Sequence, residues 1–257
     1  MTINFSVSDG VANIILNRPE VLNSINREMA LALQQVLKDC ERSDEVRALH
    51  ITGEGRAFSA GQDLAEAIDD NGPGLNTIVR DHYNPIISML RGIEKPVICA
   101  VNGVAAGAGA NIALACDIVF AGMSASFIQA FSKIGLIPDS GGTFFLPRLI
   151  GIQRATALMM LGEKVKAQDA MQMGMIYKVC EDSELQQVSM NCASTLAKMP
   201  TKGLGYTKRA LNLSLFNNLD DQLDVEENLQ TKAGQTTDYR EGVNAFLQKR
   251  TPEFKGI

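Results

Sequence analysis

The chain has 257 residues, 46% hydrophobic and 21% charged, enough for one large globular unit with a sizeable core. Its net charge of −5 argues against a general nucleic-acid binder, though a few local cations and backbone amides could still hold an anionic ligand. Five scattered cysteines (Cys40, Cys99, Cys116, Cys180, Cys192) without a Cys-x-x-Cys pair, and only two histidines, exclude a disulfide framework and a His-based zinc site.

No apolar stretch approaches the roughly 18 residues of a membrane span, and the N-terminus lacks a signal-peptide pattern. A cytoplasmic protein without membrane or nucleic-acid partners is expected. Residues 5–16 read as a hairpin turning at Asp9-Gly10. Asn17-Arg18-Pro19-Glu20 is a loop. Asn26 is placed to cap a helix reaching about Arg42, where Met29, Leu33, Val36, Leu37 and Cys40 form one apolar stripe. A strand over 46–52 leads to a first glycine turn, Ala57-Phe58-Ser59-Ala60-Gly61-Gln62-Asp63-Leu64. A polar loop over 68–76 and a helix near 77–92 follow. A buried-type strand over 96–101 leads to a second turn, Asn102-Gly103-Val104-Ala105-Ala106-Gly107-Ala108-Gly109-Ala110. A short helix at 107–115 and a strand over 117–121 come next. Beyond residue 150 strand signals nearly stop. Helices are expected near 153–161, 167–173, 184–199, 202–216, 219–233 and 238–249. The pattern is an α/β core over residues 1–200 with a helical C-terminal region over 201–257.

Each glycine turn follows an apolar run and precedes a helix start, so its N–H groups are left unpaired and outward. Two such groups from separate turns can hold a developing oxyanion. Gly107-Ala108-Gly109 opens a Gly-x-Gly-x-x-Gly pattern, but its sixth position is Ile112, which argues against a dinucleotide site. Downstream lies Leu136-Ile137-Pro138-Asp139-Ser140-Gly141-Gly142-Thr143. From spacing alone Asp139 reads first as a helix N-cap and second as a pocket acid. Asp63 reads first as a cap on a helix starting near Leu64, and His82 as a residue on a solvated helix face.

Taken in order, Asn17-Arg18-Pro19, residues 58–63, Lys95-Pro96 through Asn102-Gly103, Asp117, Gly141-Gly142-Thr143 and residues 239–250 resemble the crotonase (enoyl-CoA hydratase/isomerase) superfamily. The resemblance spans essentially the whole chain. It implies a crotonase-type spiral of ββα units with a helical C-terminal trimerisation region, and a homotrimer or a hexamer of paired trimers. It implies an acyl-CoA thioester as substrate and no separate cofactor. The N–H groups of Ala60 and Ala108 are implied as the oxyanion hole. Substrate or CoA contacts are implied at Arg18, Val21, Gly61, Gln62, Asp63, Leu64, Tyr83, Gly107 and Phe131, with Lys249 reaching CoA from a neighbouring subunit.

Hydratases of this superfamily carry two glutamates at positions that here are Asn111 and Phe131. Neither can exchange a proton in the needed way. The resemblance therefore implies an isomerase with Asp139 as its single proton shuttle, moving a 3-enoyl double bond or rearranging a ring epoxide. The alternatives are a hydratase-like enzyme of another acyl-CoA pathway and a non-catalytic CoA- or RNA-binding homologue. RNA-binding relatives carry a lysine-rich helix, whereas residues 27–42 are mixed in charge. A dehalogenase-like enzyme would pair its aspartate with tryptophan, and this chain has none.

Overall fold

Asp9 and Gly10 both take positive φ, 51° and 79°, the mirror-image turn that suits the right-handed twist of a hairpin. In the computed structural model, which describes residues 1–257, this turn pairs β1 (Ile3–Ser8) antiparallel with β2 (Val11–Leu16). Asn26 caps α1 (Arg27–Arg42), its side chain accepting the N–H of Met29. Met29, Leu33, Leu37 and Cys40 bury the expected stripe. At the other end of α1, Lys95 Nζ donates to the carbonyls of Cys40 and Ser43 at 2.6 and 2.7 Å. A cation thus satisfies carbonyls that the helix leaves open.

Three strand–strand–helix units follow. The first is β3 (Ala48–Gly53), β4 (Ala57–Ser59) and α2 (Leu64–Ala67). One-turn α3 (Leu75–Thr77) then runs through a π-helical stretch (Ile78–Tyr83) into α4 (Asn84–Gly92). The second unit is β5 (Val97–Val101), β6 (Val104–Ala106) and α5 (Ala108–Ala115). The third is β7 (Ile118–Gly122), β8 (Ser126–Ile128), a 3-10 turn (Ala130–Ile134) and α6 (Gly142–Ile150). The chain continues through α7 (Ile152–Leu161), β9 (Lys164–Lys166), α8 (Ala167–Gln172), β10 (Lys178–Cys180) and α9 (Leu185–Ala197). It ends in α10 (Thr201–Ser214), α11 (Leu219–Gly234) and α12 (Thr237–Gln248).

The first strand of each unit enters a six-stranded sheet of order β1-β2-β3-β5-β7-β10. The second enters a four-stranded sheet of order β4-β6-β8-β9. This is the ββα spiral. In the large sheet only β1 and β2 pair antiparallel. Strand β5 is buried on both faces, which is why it reads as an unbroken apolar run. Its Val97, Cys99 and Val101 face the main core, while Ile98 and Ala100 face a second core under α9.

Two expectations are corrected. Strands continue past residue 150: β9 and β10 finish the two sheets. Each has three residues and carries lysine, as an edge strand should, so neither shows a readable period. His82 is buried, not solvated, and burial pushes its pKa down. Helix α1 covers it, and Gln34 Nε2 donates to the Asp81 and His82 carbonyls at 2.7 and 3.1 Å. A π-helical segment needs such outside partners because its own ladder is widened.

Two polar knots join the layers. His50 lies between Asn13 and Ser189, 3.0 and 2.9 Å from their side-chain oxygens, tying α9 to β2 and β3. Burial pushes its pKa down to about 4, so the ring is neutral at pH 7. Asp117 pairs with Arg91 at 3.0 Å and with Lys208 at 2.8 Å, and accepts the Val97 N–H at 2.9 Å. That knot ties α4 and α10 to the ends of β5 and β7.

The last three helices leave much apolar surface bare. Leu211, Phe216, Leu219, Leu223, Phe246 and Leu247 are all exposed. A groove of about 900 Å³ lies between α10 and α11, and one of about 590 Å³ joins α10, α11 and α12.

Candidate active site

The first glycine turn is pinned from beneath. Ser59, fully buried, donates its hydroxyl to the Asn23 carbonyl at 2.8 Å. Asn23 in turn donates to the carbonyls of Glu54 and Ala57 at 2.9 and 2.8 Å. Gly61 sits at φ 89°, and a Cβ there would fall 2.7 Å from the Ala106 carbonyl oxygen. Only glycine lets the first turn approach the second this closely. The same hypothetical Cβ would lie 3.4 Å from the Ala108 nitrogen, so that amide abuts the first turn.

The free amide in the first turn is not the expected one. Ala60 donates its N–H to the Leu22 carbonyl at 2.9 Å, so it cannot also serve a ligand. Gly61 N–H meets Ser59 Oγ at 3.2 Å, and Asp63 N–H meets the Ile25 carbonyl at 3.0 Å. Between Ala60 and Asp63, Gln62 is the residue whose N–H has no acceptor in the chain. Across from it, Ala108 is the first residue of α5, and its N–H has no helical partner. The Gln62 side chain is held too: the buried Tyr83 hydroxyl donates to its Oε1 at 2.7 Å.

Asp139 is not a helix cap. Helix α6 starts at Gly142 behind Gly141, with no side-chain cap bond. The Asp139 carboxylate instead accepts the Ser140 hydroxyl at 2.8 Å, while its backbone carbonyl accepts the Gly142 N–H at 2.9 Å. Ser140 and Gly141 are both left-handed, with φ 51° and 73°. The rings and methyls of Phe145 and Ile87 close over Gly141. Burial pushes the Asp139 carboxyl above its ordinary range, and the Ser140 bond only partly offsets this. Tyr83 is pushed well up by burial first and by the Asp139 charge second.

The second turn is closed by an apolar wall. Phe131 is buried, its ring tip 3.8 Å from where a Gly107 Cβ would be. Asn111 is buried in α5 between Gln129 and Asp139. Gly61, Gln62, Tyr83, Gly107, Ala108, Phe131 and Asp139 thus share one neighbourhood. No group of three His, Cys, Asp or Glu is placed to hold a metal ion.

The remaining predicted contacts lie at the rim or apart. Asp63 caps α2, accepting the Ala65 N–H at 3.2 Å, and pairs with Arg18 at 2.8 Å. Arg18 also donates to the Ser24 carbonyl at 2.8 Å, so its charge is already engaged. Val21 and Leu64 are exposed beside them. Lys249 ends α12 in a left-handed cap and is bonded to none of the pocket residues of its own chain. Sequence reasoning passed over Asn23 and Gln129. Nothing local separates either from a surface amide.

The spiral fold and the two converging turns agree with one lineage: the chain belongs to the enoyl-CoA hydratase/isomerase family, matching it over residues 6–257. It is 51% identical to the 1,2-epoxyphenylacetyl-CoA isomerase of Escherichia coli K12, over 97% of each chain. It is 37% identical to a trans-2-decenoyl-[acyl-carrier-protein] isomerase of Streptococcus mutans, covering 99% of this chain and 98% of that one. The solved enoyl-CoA hydratase of Bacillus anthracis superposes with a TM-score of 0.93 at 32% identity, covering 100% of both chains.

Proposed function

We propose that this protein is an acyl-CoA isomerase with one carboxylate shuttle. The observation that carries the reading is the acid's anchorage: the Asp139 turn is bonded to Asn111, one helical turn beyond the unpaired Ala108 amide in α5, while Asn111 and Phe131 supply no second acid. In a 3-enoyl thioester, the Asp139 carboxylate takes a proton from the carbon next to the thioester. The electron pair moves onto the thioester oxygen, which the N–H groups of Gln62 and Ala108 stabilise. Asp139 then returns the proton at the far end of the dienolate, leaving the double bond in conjugation. In 1,2-epoxyphenylacetyl-CoA the carbon–carbon bond of the epoxide breaks while both C–O bonds stay, giving the oxepin, and the proton taken from the side-chain methylene is returned to a ring carbon, so the change is an isomerisation. The 51% identity to an isomerase of that substrate supports this choice.

Each oxyanion donor contributes roughly 3–4 kcal/mol to the transition state. Burial raises the Asp139 pKa toward the operating pH, which makes the carboxylate a stronger base for taking the proton, and the carboxylic acid so formed returns it. Hydration of crotonyl-CoA is expected to be negligible and isomerisation of a 3-enoyl-CoA or of epoxyphenylacetyl-CoA measurable. Hydration at about tens per second, a rate typical of enzymes, would overturn the assignment.

The exposed apolar faces of α10, α11 and α12 support a homotrimer or a dimer of trimers. Lys249, placed away from its own pocket, is proposed to meet the CoA of a neighbouring subunit. Sedimentation at micromolar concentration is expected to show the oligomer; a stable monomer of 27.8 kDa would refute it.

A further inference from the structure

Asn111 is held by more than its position in a helix. Its Nδ2 donates to the Asp139 backbone carbonyl at 2.8 Å, and its Oδ1 accepts Gln129 Nε2 at 2.8 Å. Both side chains are buried, at 1% and 5% exposure. A Cβ on Gly142 would fall 2.4 Å from Asn111 Nδ2, so the start of α6 packs directly on this amide. The turn it grips contains Ser140 at φ 51°, a conformation disfavoured for a residue with a Cβ. Such a turn persists only where its surroundings hold it.

The chemistry of the position is narrow. An ionised carboxylate could accept from Gln129 but could not donate to a carbonyl, and an aliphatic side chain could do neither. Asn111 also lies one helical turn beyond Ala108, on the same face of α5. One rigid helix therefore carries both an unpaired amide and the grip on the acid's turn. Gln129 Oε1 remains buried without a partner in the chain, a cost that a purely stabilising network would avoid.

We infer that Asn111, braced by Gln129, is the positioning residue for Asp139: it clamps the Asp139 carbonyl to α5 and so sets the carboxylate's place relative to the Gln62 and Ala108 amides. The inference rests on the reading of Asp139 as the proton shuttle.

The test uses Asn111→Leu, similar in size but without a donor, and the double variant Asn111→Leu/Gln129→Met, which also removes the polar group that the first change would orphan. In both, kcat for 3-enoyl-CoA isomerisation is expected to fall about 10- to 100-fold with KM within about threefold, the pattern of a misplaced rather than missing group. A second readout is independent of turnover. The Asp139 carboxyl is titrated by carbon NMR in protein with labelled aspartate, its signal assigned by loss in Asp139→Asn. Its midpoint is expected to move down toward the ordinary range as the turn loosens and water enters. Tyr83, whose pKa the charges of Asp139, Glu66 and Asp63 help to raise, is unaltered in both variants, as are Glu66 and Asp63. An unchanged midpoint in both variants overturns the clamp, whatever the rate does. A parent protein that fails to isomerise overturns the functional reading instead, and the titration still decides the clamp.

Discussion

Asp139→Asn is expected to lower isomerase turnover by at least about 10²-fold, the lower end for loss of a positioned acid–base group. The amide is nearly isosteric and can still accept the Ser140 hydroxyl, but it cannot take up a proton. The backbone carbonyl that Asn111 grips is untouched, so fold and CoA binding should survive. The pH dependence follows from the direction of the shift. The carboxylate must be ionised to act, and burial raises its pKa. The acid limb of kcat/KM should therefore lie above the ordinary aspartate range, with the rate falling as pH drops through it.

Stability runs the other way. A carboxyl with a folded pKa above its unfolded value stabilises the fold below the unfolded pKa, and that contribution is lost as pH rises through the folded pKa. At neutral pH the buried carboxylate is thus a net cost, and Asn removes it. The variant should melt at the same temperature as the parent or higher. An unchanged rate would move the catalytic role elsewhere.

The parts of the molecule legible in sequence were those set by local signals. Asp9-Gly10 needs positive φ at two residues, which few dipeptides tolerate. Asn26 and Asp63 cap helices through a side chain two or three residues from its partner. The apolar runs of β3, β5 and β7 mark strands buried on both faces. What stayed hidden depends on distant partners. The first glycine turn does leave an amide unpaired, but Leu22 and Ile25 decide which one, and both reach the turn through tertiary contact. The Ala60 N–H is therefore engaged, and Gln62, read only as a binding residue, carries the free one. Asp139 could not be told from a cap, because its carboxylate direction depends on the left-handed Ser140 that follows it. The three-residue strands of the small sheet are too short to carry a period, and β9 and β10 hide behind lysines. His82 looked solvated because α1, which buries it, lies some 40 residues earlier in the chain.

The largest stability effect is expected away from the pocket, at Asp117. Its two oxygens take Arg91, Lys208 and the Val97 N–H, while Lys208 Nζ also donates to the Leu90 carbonyl at 2.7 Å. Lys208 is 7% exposed, so its ammonium has little water to fall back on. Asp117→Ala leaves two cations and a backbone N–H without their shared acceptor. Removing one partner of a buried pair typically costs about 3–5 kcal/mol, because the other charge stays buried and uncompensated. For a chain of this size that corresponds to a fall in Tm of about 6–20 °C. Burial already pushes the Lys208 pKa down, and Asp117 is the first of the groups that hold it up. Without Asp117 it falls further. The folded state of the variant then pays most while Lys208 is protonated, so its deficit against the parent should narrow as pH rises. Lys208→Met alone leaves Asp117 with Arg91 and the Val97 N–H, and should cost less than Asp117→Ala. Urea unfolding of both variants at one fixed protein concentration separates these outcomes, since assembly makes the midpoint depend on concentration. Equal losses in the two variants, or a deficit in Asp117→Ala that does not change with pH, would show that the uncompensated lysine is not what destabilises the fold.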